Sequence, residues 1–365
     1  MRAAVFHGQN DIRVEDVIEP TAGPGEVLVK VGAVGICGTD AHEFVHGPVM
    51  FPIQHAHAVT GHVGPMIPGH ELAGTVIASG PGAEWLSEGT VIVSGAGISC
   101  GDCHWCRRHR TNLCENYSTL GLQRDGGLAQ YVAVPASTCV DVSPYGLGID
   151  EAALGQPMSI AVHAMRRGRL QEQDVAVIIG AGGIGAFLTY AAAELGSTVV
   201  VADLDAERLS IAHGLGAGHI VSPSHGSSLA EILNSNGLIP SVVYEVSGSR
   251  AGLAEALTVA PRGCRVVLVG LQTHPIELDL RSISIREIEL IGTNAHVVGI
   301  DLPEALRLLA SRKSGWRDIA PTALSLDELV NEGLLPLAES RSTRIKTLID
   351  PWAESSRPTS GVPRW

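Results

Sequence analysis

The sequence predicts an α/β protein of two domains, one built on short β-strands and one on a doubly wound parallel sheet. Three observations carry this. The chain has 365 residues, more than one ordinary core encloses. Hydrophobic residues make up 45% and glycines number 43, against an aromatic share of 4%, a balance suited to strand-to-helix turns rather than to a base-stacking surface. Near Glu151 short alternating runs give way to strands that alternate with helices, the pattern of βαβ units on a parallel sheet.

Taken in order, AAVFHG, DIRVEDV and EVLVKVGAVGI read as strands separated by turn residues, and ELAGTVIASG and GTVIVSGAG continue them. DVAVIIG then reads as a buried strand, AFLTYAAAELG as a helix, STVVVADLD as a strand and AERLSIAHGLGA as a helix. SVVYEVSG, a helix through AGLAEALTVA, RVVLVG and ELIGT complete the sheet. PEALRLLASRK and DELVNEG are helix-like and are expected to rejoin the first domain. The stretch after Asp350 is polar and rich in Pro and Ser, and is expected to be loose. No internal repeat is present.

The formal net charge of −13, from 25 basic and 38 acidic residues, repels nucleic acid and anionic membrane, so neither is expected as a partner. The first twenty residues hold no apolar signal core. The uncharged run Val175 to Ala193 approaches spanning length, but its GAGGIGA segment reads as a turn between strand and helix. A cytoplasmic protein is expected.

Gly180, Gly182 and Gly185 form G-x-G-x-x-G, with Gly183 and Ile184 inside it, after a strand and at the start of a helix. In that context the glycines admit a pyrophosphate to the backbone and the helix N-terminus faces its charge. Asp203 ends the next strand, where a carboxylate accepts from ribose hydroxyls and repels a 2′-phosphate, so NAD is expected over NADP. Arg208, one turn into the next helix, reads equally as a contact to the adenosine end and as a surface residue.

Of seven cysteines, Cys100, Cys103, Cys106 and Cys114 lie within fifteen residues. In a cytosolic chain such a cluster indicates metal rather than disulfides, and four thiolates close a tetrahedral zinc site that folds a loop without performing chemistry. An iron–sulfur cluster uses the same donors. His104 and His109 read as surface residues of that lobe.

Two further segments stand out: GICGTDAH, Gly35 to His42, and PGHELAGTVIASG, Pro68 to Gly80. With the four-cysteine spacing and the dinucleotide unit, they resemble the zinc-containing medium-chain alcohol dehydrogenases, from about Ala3 to Pro351. The resemblance implies a GroES-like β domain with a structural zinc lobe over residues 1–155 and 293–365, and a Rossmann NAD-binding domain over 156–292. It implies two zinc ions per chain and catalysis between the domains. Cys37 and His70 match ligands of the catalytic zinc, Glu71 an alternating ligand, and Asp40 the carboxylate that orients the His70 ring. Thr39 and His42 match a path that carries the substrate's proton through the nicotinamide ribose to solvent, although His42 alone reads as a loop histidine. Ser247, Gly270 and Thr293 match segments near the nicotinamide, and Lys346 a basic residue near the pyrophosphate.

The family's diol and polyol branches usually carry glutamate before a proline near the domain junction; here Gln156 precedes Pro157. A glutamine oxygen can ligate zinc but removes a negative charge, so a working site and an impaired one both stand open. The loop from Asp40 to Glu71 looks like that of butanediol dehydrogenases, with sorbitol dehydrogenases near. Its His46, His55, His57 and His62 read as exposed or turn residues, with contact to substrate hydroxyls as the other reading. The expected function is hydride transfer between NAD and a secondary alcohol or ketone: a vicinal diol, a hydroxyketone or a polyol. A cyclitol, aminocyclitol or sugar dehydrogenase is the alternative within enzymes, and a dinucleotide-binding protein that has lost its catalytic zinc is the alternative outside them. The resemblance implies a homo-oligomer, since bacterial relatives are usually tetramers or dimers, and RVVLVG is a candidate edge strand for pairing between subunits.

Overall fold

The structure, a computed structural model, describes residues 1–360 except 224, 225, 227, 273 and 340. The chain divides into two compact units, Met1–Ser159 with His296–Trp365, and Ile160–Ala295.

In the first unit β1 (Arg2–Gly8) and β2 (Asp11–Asp16) form an antiparallel hairpin. They are followed by β3 (Glu26–Gly35), α1 (Gly38–His46), β4 (Glu71–Ser79), β5 (Val91–Ser94), β6 (Gly97–Ile98), β7 (Ser118–Thr119), β8 (Tyr131–Pro135), β9 (Cys139–Asp141), α2 (Ile149–Ala152) and α3 (Gly155–Arg167). Along β3 the period-two alternation puts Val27, Val29 and Val31 in the core with Leu72, Val76 and Ile92 while Lys30 is exposed. The chain returns to this unit with α9 (Val298–Ser311), β16 (Thr322–Leu324), α10 (Leu335–Ala338), β17 (Leu348–Ile349) and β18 (Arg357–Pro358). The resulting sheet runs β18-β16-β17-β3-β4-β5-β9, with β8 also paired to β3. The segment DELVNEG contributes to a π-helical stretch, Leu329–Leu334.

The second unit alternates β10 (Val175–Ile179), α4 (Gly183–Glu194), β11 (Thr198–Ala202), α5 (Ala206–Gly214), β12 (His219–Val221), α6 (Leu229–Ser235), β13 (Val242–Glu245), α7 (Arg250–Val259), β14 (Arg265–Leu268), α8 (Leu280–Ile285) and β15 (Glu289–Gly292). All six strands are parallel, in the order β12-β11-β10-β13-β14-β15. Buried runs such as Val199–Ala202 mark a sheet covered on both faces. The run from Val175 is β10, a glycine turn and α4, and no helix among the described residues is long and apolar enough to cross a membrane.

Two expectations are corrected here. RVVLVG is not an edge: β14 hydrogen-bonds to β13 on one side and β15 on the other, and β12 and β15 are the edges. The segment after Asp350 is not loose as far as Ser360. Trp352 donates from its indole to Val31 O at 2.8 Å and stacks edge-on against Tyr131, with Lys30 Nζ 4.6 Å from its ring centre. Arg357 bridges Asp350 and the buried Asp150, and Ser360 N–H donates to the same Asp150 carboxylate. Polar composition misled because the polar groups are partnered rather than solvated. The remaining five residues of that tail, 361–365, lie outside the described residues.

Candidate functional site

Two strand ends and one helix start converge in the first unit. Strand β3 ends at Gly35, and two residues on Cys37 opens α1 as its N-cap. The antiparallel register sets Gly35 opposite Glu71 at the start of β4, which brings His70 and Glu71 beside Cys37. Ligand atoms of Cys37, His70 and Glu71 all lie within 4.8 Å of one another. A thiol, an imidazole and a carboxylate at that separation are a donor set for zinc.

The supporting contacts fit that use. Asp40 is buried on the first turn of α1, and its Oδ2 accepts from Cys37 N–H at 2.8 Å. Its Oδ1 lies 3.6 Å from His70 Nδ1, and among the described residues neither atom has another hydrogen-bond partner. The carboxylate therefore faces one ring nitrogen and leaves the other for a metal. Burial works against the His70 imidazolium, but Asp40 and Cys37 outweigh it and hold its pKa well above the ordinary value; a cation at these donors would displace that proton. Thr39 Oγ1 lies 3.9 Å from Cys37 Sγ. His42, one turn on, is exposed. Gln156 is buried in the first turn of α3, and it belongs to the first unit because the division falls after Ser159.

Sequence reasoning missed two features here. A Cβ on Gly35 would stand 2.2 Å from Glu71 Oε2, so the glycine is what leaves room for the carboxylate. The second feature is a contact between distant segments. Lys346, expected near the pyrophosphate, is buried in the first unit, and its Nζ donates to Glu71 Oε1 at 2.7 Å and to Ile36 O at 3.0 Å. Pairing of β17 with the end of β3 delivers it there. Burial works against its charge, and Glu71 and Cys37 more than reverse that, raising its pKa. A buried ammonium has to be paired in this way, and this one points at a carboxylate of the cluster.

Cys100, Cys103, Cys106 and Cys114 form the second cluster, their sulfurs within 4.8 Å of one another beside the small β6–β7 ribbon. Cys114 Sγ is 3.5 Å from Cys100 Sγ, too far for a disulfide and close to the spacing of sulfurs around one zinc. Backbone N–H groups of Cys100 and Asn116 donate to Cys114 Sγ, and those of Cys106 and Glu115 lower the Cys103 thiol to about 6, while Asp102 raises the Cys100 thiol and burial raises that of Cys106. His104 pairs with Arg108 and His109 is exposed.

In the second unit, Gly180, Asp203, Ser247, Gly270 and Thr293 all follow the carboxyl ends of parallel strands, β10, β11, β13, β14 and β15, so they share one rim of the sheet. Gly182 is the N-cap of α4, whose first turn has no side-chain cap. A Cβ on Gly185 would stand 1.9 Å from Gly180 O, whereas one on Gly182 would meet nothing within 4 Å. Gly185 is thus required by the fold, while Gly182, with Gly183 and Ile184 after it, leaves an open cradle of backbone N–H groups suited to a pyrophosphate. Asp203 Oδ2 accepts from Ala181 N–H in that turn at 2.6 Å, which ties the carboxylate to the cradle. Arg208 Nε stands 3.8 Å from Asp205, the residue that caps α5. Ser247 donates to the buried Glu245 at 2.5 Å, and a Cβ on Gly270 would collide with Gly248 N at 2.1 Å, so these two turns pack directly.

The loop after α1 divides. Glu43 accepts from Val49 and Met50 N–H and fixes its start. His57 is held by Thr60, and His55 is exposed. His62 lines a cavity of about 980 Å³ in the first unit together with His7, Glu15, Thr60, Arg124 and Asp125; none of Cys37, His70, Glu71 and Gln156 lines it.

Known proteins share this combination. Residues 23–144 match the alcohol dehydrogenase GroES-like domain, and residues 183–311 match the zinc-binding dehydrogenase domain. An (R,R)-butanediol dehydrogenase of Neisseria gonorrhoeae (strain ATCC 700825 / FA 1090) is 31% identical over 96% of this chain and 99% of its own. A sorbitol dehydrogenase of Bacillus subtilis (strain 168) is 32% identical over 90% of this chain and 91% of its own. The crystal structure of 2R,3R-butanediol dehydrogenase from Bacillus subtilis superposes with a TM-score of 0.87 at 30% identity, covering 96% of this chain and 99% of that one. With relatives above 30% identity matched over nearly their full length, the chain belongs to the zinc-type alcohol dehydrogenases, built from a GroES-like domain and a Rossmann-type zinc-binding dehydrogenase domain.

Proposed function

We propose that this protein is an NAD-dependent dehydrogenase of a vicinal diol, hydroxyketone or polyol, with a catalytic zinc at Cys37, His70, Glu71 and Gln156 and a structural zinc at Cys100, Cys103, Cys106 and Cys114. The observation that carries the reading is the meeting of Cys37, His70 and Glu71 donor atoms within 4.8 Å, beside the Thr39 hydroxyl. Zinc held there would act as a Lewis acid that acidifies the substrate hydroxyl, and NAD would take the hydride. Cys37 and His70 would hold the metal while Asp40 fixes the His70 ring. Thr39 would take up the hydroxyl proton as it releases its own, and His42, exposed on the same helix, would pass the released proton to solvent. Lys346 holds Glu71 by its carboxylate and so sets how far that group leans toward the metal. Asp203 at the rim favours a ribose with a free 2′-hydroxyl, hence NAD over NADP.

The relatives named for butanediol and sorbitol support a small polyhydroxy substrate for this chain as well. A soluble cytoplasmic homo-oligomer is part of the proposal. The free β15 edge, with Leu271, Leu280 and Ile285 exposed in the same unit, offers a pairing surface in place of RVVLVG.

The test is NADH absorbance with protein of measured zinc content, against butane-2,3-diol isomers, sorbitol, inositols and simple alcohols, with NADP in parallel. Turnover of a diol or polyol with NAD, abolished by chelation, is expected. Turnover confined to an inositol would move the substrate to the cyclitols. No turnover with one zinc per chain would make this a dinucleotide-binding protein.

A further inference from the structure

We propose that His42 and His46 form a third metal site, an exposed bis-imidazole clamp on α1 that takes a divalent transition ion. The two residues stand four apart on a regular helix, so their side chains rise from the same face one turn apart. That face is free: Asp40, Ala41, Glu43 and Phe44 carry the buried side of α1, while His42 and His46 are both exposed. Their ring centres are 5.0 Å apart, with the planes tilted by 53°.

That separation falls in the range a shared ion requires. With metal–nitrogen bonds of about 2.0–2.1 Å, two imidazoles at a tetrahedral angle have ring centres roughly 5.2 Å apart, and at a right angle roughly 4.5 Å. The observed spacing lies between these limits, nearer the tetrahedral one, so the rings stand at a chelating separation and need only turn a nitrogen toward a shared ion. Two circumstances favour a cation there. His46 occupies the last turn of α1, where the helix dipole presents its negative end. The chain carries a formal charge of −13. With two protein ligands and water completing the shell, this is a readily exchanged site, unlike the two clusters that contain thiols.

The consequence rests on the relay reading of the preceding subsection. An ion on His42 occupies the nitrogen that would pass the proton to solvent, so excess zinc is expected to slow turnover. Binding and inhibition are therefore read separately. Protein carrying two zincs per chain is titrated with zinc chloride by calorimetry, in parallel with H42Q and H46Q, and the same samples are assayed for turnover with added zinc. One further ion per wild-type chain is expected, bound about a hundredfold more weakly in either variant because each leaves a single imidazole in place of a chelating pair. H46Q is expected to keep wild-type turnover and to lose the zinc inhibition. No third ion in the wild type, or a third ion bound equally well by H46Q and H42Q, overturns the site. A third ion that H46Q loses, with no inhibition in the wild type, upholds the site and refutes the relay role of His42.

Discussion

Replacing Lys346 by Met tests a pair that sequence reasoning did not foresee. Glu71 is 1% exposed and Lys346 6%, and the ammonium is the cation hydrogen-bonded to that carboxylate. Methionine keeps much of the length and apolar volume but removes the charge. The carboxylate would be left buried beside Asp40 and the Cys37 sulfur, and Ile36 O would lose its donor. Breaking one side of a buried ion pair costs about 3–5 kcal/mol. For a unit of this size each kcal/mol moves Tm by about 2–4 °C, so K346M should melt roughly 6–20 °C lower. Tryptophan fluorescence is a selective assay, because Trp85, Trp105, Trp316 and Trp352 belong to the first unit and residues 160–295 hold no tryptophan. The double variant E71Q/K346M, which removes the stranded charge, should recover at least half of the loss. A K346M protein within about 1 kcal/mol of wild type, or a double variant no better than K346M, would refute a buried, energetically coupled pair.

Three other outcomes follow from the geometry. G182A should fold as wild type yet bind NADH about tenfold or more weakly in a fluorescence titration, because its methyl group enters only the open cradle, whereas G185A should destabilise the second unit through its clash with Gly180 O. Burial pushes the Asp150 carboxyl up, but Arg357 and Ser360 more than offset it and hold its pKa below the ordinary value of about 3.9. Its contribution to stability is therefore complete above that value and lost as pH falls through the lower folded one; D150N should remove this acid-side slope in denaturation curves measured from pH 5 downward. Q156E should fold normally and change both zinc affinity and turnover, and identical metal content and kinetics would put residue 156 outside the metal's reach.

The sequence carried the parts of the site whose residues lie close together in the chain. Cys100 to Cys114, Gly180 to Gly185 and the pairs around Cys37 and His70 have spacings that turns and strand ends convert directly into proximity. Strand and helix patterning was readable for the same reason: Val27, Val29 and Val31 alternate, and β10 and β11 are continuous apolar runs. Contacts between distant segments were not readable. Lys346 and Glu71 are 275 residues apart, and nothing local to RIKTLID points to a carboxylate partner. Asp150 and Arg357 are 207 apart, so the polar tail read as solvated. RVVLVG looked like an edge because hydropathy reports burial and not strand order; the three-residue β12 on the far side and the short β15 carry too little pattern to fix their places.

The charges around Cys37 give Gln156 a physical rationale under the proposed function. With metal bound, Cys37, Asp40 and Glu71 contribute three negative charges, His70 none and Lys346 one positive, a balance of minus two. A zinc dication brings that to neutrality when the remaining donor is an uncharged glutamine. Glutamate at 156 would leave a net negative charge in a buried site, holding zinc more tightly and lowering its power to acidify a hydroxyl. Lys346 works in the opposite sense, since drawing the Glu71 carboxylate toward itself reduces the density offered to the metal. The two residues therefore act on one quantity from segments far apart in the chain. The effect of Q156E on turnover should then be partly reversed in any background that strengthens the cationic partner of Glu71, and enlarged where that partner is lost.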